Sequence, residues 1–198
     1  MPRTLIRTAA LALALATPAF ASPPITSSEV MDAIRTFDTN ASGSMTVTAR
    51  AGDPNTLVIG ASNIILRYVL ESDDVVVDLG NDAVPWCDVK KGLADLPNSG
   101  ERGLLLAAYL AGSVKAQLDS GRQNANPYPG WLAMLRIYRS VKIREGIAIP
   151  EVEGLLARQI DGSLESYAGT AMQRSAETLR KKYGTTGPKA AVTASTQP

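Results

Sequence analysis

The chain has 198 residues, a formal net charge of +1, no histidine and a single cysteine, Cys87. The near-neutral charge argues against nucleic acid as a partner, because proteins that bind nucleic acid carry a strong excess of Lys and Arg. The lack of histidine excludes Ser-His-Asp catalysis, Cys-His catalysis and histidine-based zinc sites. A single cysteine also excludes an intramolecular disulfide, so we expect Cys87 to be a buried structural thiol.

The N-terminus, residues 1–21, is typical of a cleavable secretory signal. Arg3 and Arg7 give it a positive start, an apolar run follows over residues 9–16, and Ala-Phe-Ala at 19–21 matches a cleavage site. The apolar run is far shorter than the roughly 20 residues of a membrane-spanning helix. We therefore expect a periplasmic or secreted protein without a membrane anchor, with a net charge of −1 after cleavage.

The remaining residues predict one folded domain and a tail. Residues 22–184 are sufficient for one domain with a single core, and their apolar periodicity is mostly helical. Residues 185–198 are small and polar with little to bury, which predicts a disordered tail. The expected fold class is mainly α, an irregular helical bundle with room for a small two-stranded β element.

The first predicted helix covers residues 27 to 37. Thr26 and Glu29 have the spacing of a capping box, and apolar residues then recur at helical intervals. After this helix, alternating apolar and polar residues at 45–49 favour a short strand, and the apolar run at 74–79 is either a second strand that pairs with it or an extended connection.

The segment from Asp38 to Met45 resembles the first eight positions of an EF-hand calcium loop, with oxygen-bearing side chains at positions one, three and five and glycine at position six. Position twelve is Ala49, whereas a calcium loop requires a glutamate that supplies two oxygens there. We therefore interpret the segment as a capped polar turn and expect neither a metal nor another cofactor.

The rest of the domain shows apolar residues at the 3.6-residue spacing of helices. This periodicity predicts helices over residues 54–71, 101–120, 130–143 and 150–183. The last of these has a break near Asp161 and Gly162. Ala111 and Gly112 lie among several small residues of the 101–120 helix, and small residues let a neighbouring helix approach closely.

The loop from residue 124 to 130 and the helix after it carry the candidate binding residues. The loop reads NANPYPG, which predicts an exposed turn, and loops on a helical scaffold often carry recognition. The predicted binding residues are Tyr128, Trp131, Arg136, Arg139 and Lys142. In the alternative interpretation, the loop is only a connector, Trp131 begins the buried face of the helix, and the basic residues form its solvated face.

Two short segments resemble motifs of the soluble lytic transglycosylases. Residues 107–112 read AAYLAG, similar to that family's AAYNAG run, and Glu165-Ser166 is similar to its catalytic Glu-Ser pair. In that family the pair precedes the run, whereas here it follows, and Leu110 replaces the asparagine. The similarity covers only these residues in the reversed order, so we interpret it as coincidence.

These observations favour an exported, non-enzymatic protein that holds a protein partner or a component of the cell envelope. In general character it is similar to the small helical periplasmic immunity proteins that guard against secreted cell-wall hydrolases, although the single Cys87 differs from the cysteine pair common among them. The alternative is a hydrolase of cell-wall glycan that uses only carboxylates, because two suitably spaced acidic residues suffice for that chemistry.

Overall fold

A computed structural model describes residues 23–41, 54–88 and 91–183, which form six α-helices. The helices are α1 (Ser27–Asn40), α2 (Pro54–Glu71), α3 (Ser99–Ser120), α4 (Tyr128–Glu145), α5 (Pro150–Ile160) and α6 (Leu164–Tyr183). The predicted mainly α bundle is therefore confirmed. The predicted signal, the strand at 45–49 and the tail at 185–198 lie outside the described residues.

The central element of the bundle is α3. It packs along α4 on one side and contacts the α1–α2 pair on the other, while α5 and α6 pack in turn against α4. Leu105, Tyr109 and Val114 of α3 are fully buried. Among the described helices α3 contributes the most buried residues, and it is apolar around much of its circumference, as expected for a helix surrounded by others.

Two glycines set the close approach of α3 and α4. A Cβ atom on Gly112 would lie 2.6 Å from Ala133 Cβ and 2.7 Å from the carbonyl oxygen of Pro129. A Cβ atom on Gly130 would lie 2.5 Å from Ser113 Oγ. Side chains larger than hydrogen do not fit at either position, so the predicted close approach at Gly112 is confirmed.

The start of α1 has the predicted capping box. The Glu29 backbone N–H donates to Thr26 Oγ1 at 3.2 Å, and the Thr26 backbone N–H donates to a Glu29 carboxylate oxygen at 2.8 Å. The same helix ends at Asn40, three residues beyond the predicted end. The first three positions of the calcium-loop resemblance are therefore helical, and most of the later ones lie outside the described residues.

Residues 74–79, predicted to be either a strand or an extended connection, do not form a strand. Residues 75–79 have no regular secondary structure and no strand neighbour among the described residues. Instead, the Val76 N–H donates to Gln117 Oε1 at 2.9 Å, and Gln117 Nε2 donates to the Val76 carbonyl at 3.0 Å. One amide side chain thereby supplies the two hydrogen bonds that a neighbouring strand would make.

The C-terminal helices follow the predictions closely. The predicted helix over 150–183 is divided between α5 and α6 at the expected break, where Gly162 has a φ of +80°. Proline at the first position of α5 suits a helix start, because its missing N–H would have no intrahelical partner there. The prediction for α4 missed two residues at each end, since the helix begins at Tyr128 and continues to Glu145.

One helix carries apolar side chains on its solvent side. The inner face of α2 buries Val58, Ile65 and Tyr68. The exposed large apolar residues of α2 are Leu57, Ile59, Ile64, Leu66 and Leu70, of which Ile59, Leu66 and Leu70 share the outer face, opposite the buried one. Within the described residues, no helix combines the length and the apolar content that crossing a membrane requires.

Candidate binding site

Trp131, one of the predicted binding residues, is fully buried. Its indole Nε1 donates to the Ala83 carbonyl at 2.6 Å, and its ring stacks on Tyr167 with 5.6 Å between ring centroids. The side chain thus ties α4 to α6 and to the segment after α2. This placement matches the alternative interpretation, in which Trp131 begins the buried face of its helix.

Tyr128 stands at the first position of α4 and is half-buried against the core. Its backbone N–H donates to Asn126 Oδ1 at 3.0 Å, and the Asn126 N–H donates in turn to Asn124 Oδ1 at 3.0 Å. Each asparagine therefore closes a short turn with its own side chain, a common use of this residue in loops. The loop before α4 is held by these bonds, with Tyr128 partly accessible at its end.

Arg139 and Lys142 face α5. Arg139 Nη2 donates to Gln159 Oε1 at 2.8 Å, and Lys142 Nζ lies 2.7 Å from a Glu153 carboxylate oxygen. The Glu153 carboxylate also accepts a hydrogen bond from the Tyr138 hydroxyl. The bonds from Lys142 and Tyr138 lower the pKa of Glu153, because they stabilise its charged form. This part of the predicted basic face connects two helices.

Arg136 lies on the other side of α4, facing α1. Its guanidinium is 2.5 Å from a carboxylate oxygen of Asp38, near the end of α1. The Arg136 side chain is 56% exposed and the Asp38 side chain is 32% exposed, so water still reaches the pair. The structure therefore separates Arg136 from Arg139 and Lys142, which the sequence had grouped in one face.

An open groove of about 410 Å³ lies between α1, α3 and α4, and Arg136 and Asp38 line it. Most of its apolar lining consists of small residues, Ala111, Gly112, Ala116 and Ala133, and Ile34, Pro129 and Leu132 complete it. Exposed Lys115 and Asp119 of α3, which form an ion pair with each other, lie at its edge. The groove thus combines a small-residue floor with charges of both signs at its rim.

A polar pocket of about 210 Å³ adjoins this groove and shares Ala116 and Pro129 with it. Polar side chains from the end of α3 and the following loop dominate its lining: Ser113, Gln117, Ser120, Arg122, Asn124 and Asn126. The loop over residues 124–130, which was predicted to take part in recognition, therefore forms one wall of a pocket next to the groove.

Gln117 lines this polar pocket, and only 4% of its surface is exposed to solvent. Its Oε1 accepts hydrogen bonds from the Asn124 N–H at 3.0 Å and from the Val76 N–H, and its Nε2 donates to the Ser113 carbonyl at 3.2 Å. Buried polar groups that satisfy all their hydrogen bonds define a unique local arrangement. Gln117 therefore holds the loop after α2 and the loop before α4 to the same turn of α3.

Gln117, Lys115, Asp119 and Arg122 are not among the binding residues predicted from the sequence. Gln117 follows Val114 by three residues, so it occupies an apolar position of the helix, and a polar residue at such a position was an available signal. The other three residues are ordinary charged side chains, and nothing in their spacing distinguishes them from solvated residues.

Cys87 is buried, as predicted, and its surroundings suppress its reactivity. Removal from water raises the pKa of its thiol to about 11, although the nearby positive charge of Arg102 acts in the opposite direction. The reactive thiolate is therefore scarce near neutral pH. Over residues 23–41, 54–88 and 91–183, no group of three or more Cys, Asp or Glu side chains is arranged to hold a metal ion.

The chain matches no known family model, no curated protein and no solved structure.

Proposed function

We propose that this chain is an exported, non-enzymatic binding protein that holds an extended segment of a partner protein in the groove between α1, α3 and α4. The observation that carries the proposal is the groove itself. Its volume of about 410 Å³ lies within the usual range for binding pockets, about 300–1,000 Å³. The signal-like N-terminus supports export to the periplasm or the medium.

The chemistry of the groove fits a polypeptide segment. A floor of small residues leaves room for the main chain and short apolar side chains of a partner. The ion pairs Arg136–Asp38 and Lys115–Asp119 at the rim are partly exposed, and such surface pairs contribute little stability, about 0–1 kcal/mol. Both pairs can therefore exchange their partners for charged groups of a bound segment at little expense to the fold.

The carboxyl groups favour binding over glycan hydrolysis. A glycosidase needs one carboxylic acid that stays protonated near neutral pH, which requires a raised pKa. In the described part of the chain, every carboxyl group with a shifted pKa is shifted downwards: Glu29, Glu71, Glu153, Asp161 and Glu177. Hydrogen bonds are the largest cause in each case, so these groups are stabilised as carboxylates and are poor proton donors.

The test is recovery of partners with charge-reversed protein. Tagged wild-type protein is isolated from the cell envelope of expressing cells, and co-purifying proteins are quantified by mass spectrometry. We expect a stoichiometric partner whose recovery falls at least about tenfold for Lys115→Glu with Arg136→Glu, since reversal places like charges against the partner. Arg35→Glu is the matched control, because Arg35 is an exposed arginine of α1 that does not line the groove.

The outcomes separate the groove from the α5-facing side of α4. Loss of the partner with the groove variant but not with Arg139→Ala supports the groove. Equal recovery with wild type and the groove variant contradicts it, and loss only with Arg139→Ala transfers the site to the α5 side. If no protein co-purifies, the partner proposal is wrong, and glycan-binding and turnover assays then test the hydrolase alternative.

A further inference from the structure

We propose that the polar pocket next to the groove binds a carboxylate group of the segment held there. The inference rests on the proposed function for the source of this carboxylate, but the pocket's own side chains determine its chemistry. Arg122, Asn124 and Asn126 come together at its wall because the loop after α3 folds back over Gln117. A pocket of about 210 Å³ has ample room for a carboxylate group.

Each asparagine of this pocket has an uncommitted side-chain NH₂ group, whereas its Oδ1 already accepts one backbone N–H. Asn124 Oδ1 accepts the Asn126 N–H, and Asn126 Oδ1 accepts the Tyr128 N–H. The NH₂ group of each asparagine makes no hydrogen bond within the described residues. The third amide, that of Gln117, is fully engaged with the backbone. The available amide groups of the pocket are therefore hydrogen-bond donors, which select a ligand rich in acceptors.

Arg122 adds a positive charge to these donors. Its guanidinium forms no ion pair with any residue in the ranges that the structure describes. Its backbone N–H donates to the Gln117 carbonyl at 3.3 Å, which holds the residue at the end of α3. An arginine fork matches the two oxygens of a carboxylate, and charge-assisted hydrogen bonds are about twice as strong as neutral ones.

The surrounding charges favour an anion. The pocket lies between the last turns of α3 and the start of α4, whose helix-end partial charges are opposite in sign, so the charge that acts on a ligand comes from side chains. Nearby carboxylates are already satisfied: Asp119 pairs with Lys115, and Asp74 accepts a hydrogen bond from the Tyr68 hydroxyl at 3.0 Å. Arg122, the asparagine NH₂ groups and the Ser113 hydroxyl, which lines the same pocket, thus remain available to a ligand.

The test is an NMR titration of the isotopically labelled protein with three short peptides. Acetyl-Ala-Ala-Ala with a free C-terminus carries a terminal carboxylate, acetyl-Ala-Ala-Glu-amide carries a side-chain carboxylate, and acetyl-Ala-Ala-Gln-amide is the neutral control. We expect saturable shifts of the side-chain NH₂ signals of Asn124 and Asn126 with at least one acidic peptide. Tighter binding of the peptide with the free C-terminus identifies a chain terminus as the source of the carboxylate, and tighter binding of the glutamate peptide identifies an acidic side chain.

Arg122→Gln removes the charge and keeps a donor. We expect it to weaken binding of the acidic peptide at least about tenfold, as loss of a charge-assisted hydrogen bond does. Its thermal unfolding midpoint should stay at the wild-type value, since Arg122 is exposed and forms no ion pair within the described residues. Arg35→Gln, an exposed arginine far along the chain on α1, should leave the binding constant unchanged.

Three results would overturn the inference: no saturable shift with either acidic peptide, equal binding of the neutral peptide, or wild-type binding by Arg122→Gln. Each is separable from failure of the proposed function. A partner that depends on Lys115 and Arg136 but not on Arg122 would leave the groove as the binding site and remove only the carboxylate pocket. If an acidic peptide binds but no partner depends on Lys115 and Arg136, the carboxylate pocket is retained and the groove proposal is wrong.

Discussion

The α3–α4 interface and the outer face of α2 are both rich in apolar residues, but those of the interface are buried and those of the outer face are exposed. Trp131 and Leu135 of α4 are fully buried, whereas Ile59 and Leu70 of α2 are 54% and 69% exposed. Apolar content alone therefore does not decide burial in this protein. The α3–α4 interface has small residues where the helix backbones meet, and the outer face of α2 has no described helix against it.

Glycine shows the same contrast between the two regions. A Cβ on Gly112 in α3 would contact the neighbouring helix at 2.6 Å, whereas a Cβ on Gly60 in α2 would meet nothing within 4 Å. One glycine is required by packing, and the other only adds backbone freedom to the unfolded chain. The two regions therefore predict opposite responses to the same substitutions.

The largest expected effect is truncation of the buried tryptophan. Trp131→Ala should lower the free energy of unfolding by about 3–5 kcal/mol, because it leaves a cavity and removes the bond to the Ala83 carbonyl. Leu70→Ala should change it by no more than about 0.5 kcal/mol, as is usual for exposed positions. Urea denaturation followed by circular dichroism measures both. A large loss for Leu70→Ala would show that another surface covers the outer face of α2.

The second prediction compares the two glycines. Gly112→Ala should destabilise the protein by about 1–3 kcal/mol through overpacking of the α3–α4 interface. Gly60→Ala should stabilise it by about 0.5–1 kcal/mol, since alanine is the better helix former and its methyl group has open space. Thermal unfolding of both variants gives the sign directly. If Gly112→Ala is neutral, the two helices are not in the close contact described above.

The smallest expected effect is on the pH dependence of stability. Hydrogen bonds from Lys142 and Tyr138 lower the pKa of Glu153 below its ordinary value of 4.5. A carboxylate with a lowered pKa in the folded state stabilises the protein above that ordinary value, and this contribution is lost as the pH falls through the lowered pKa. Glu153→Gln should therefore reduce the loss of stability between about pH 5 and pH 3.

Glu71→Gln is the control for this pH experiment. Its carboxylate also has a lowered pKa, caused first by the hydrogen bond from Arg67, but that pair is exposed on α2 and joins neighbouring turns of one helix. We expect a weaker effect, because solvent screens exposed pairs. Unfolding midpoints measured across the acidic range decide the comparison. A larger effect for Glu71→Gln would mean that the contact between α4 and α5 contributes little.

Much of the fold follows from local sequence signals. The capping box at Thr26 and Glu29, the first-turn proline of α5 and the break at Gly162 all fall where the pattern predicts them. These features depend on residues within a few positions of each other, so their physics is present in the sequence itself. For 74–79 the sequence could not decide between a strand and an extended connection, because the hydrogen bonds of Val76 go to the side chain of Gln117, 41 residues away.

The candidate site was less predictable than the fold. The sequence grouped Arg136, Arg139 and Lys142 by their helical spacing, but neighbouring helices divide them between a groove beside α1 and contacts to α5. It also singled out the loop before α4, and that loop does form one wall of the polar pocket. Spacing along one helix gives the directions of side chains but not the elements that lie in those directions.

The sequence by itself determined the helical periodicity, the start of α1, the break at Gly162 and the close packing at Gly112, because all of these depend on short-range geometry and on side-chain size. The tertiary structure alone decided that Trp131 is buried under Tyr167, that Gln117 joins two loops, and that a groove and a polar pocket share Ala116. Each of these depends on residues distant in the chain, whose meeting is set by the packing of whole helices.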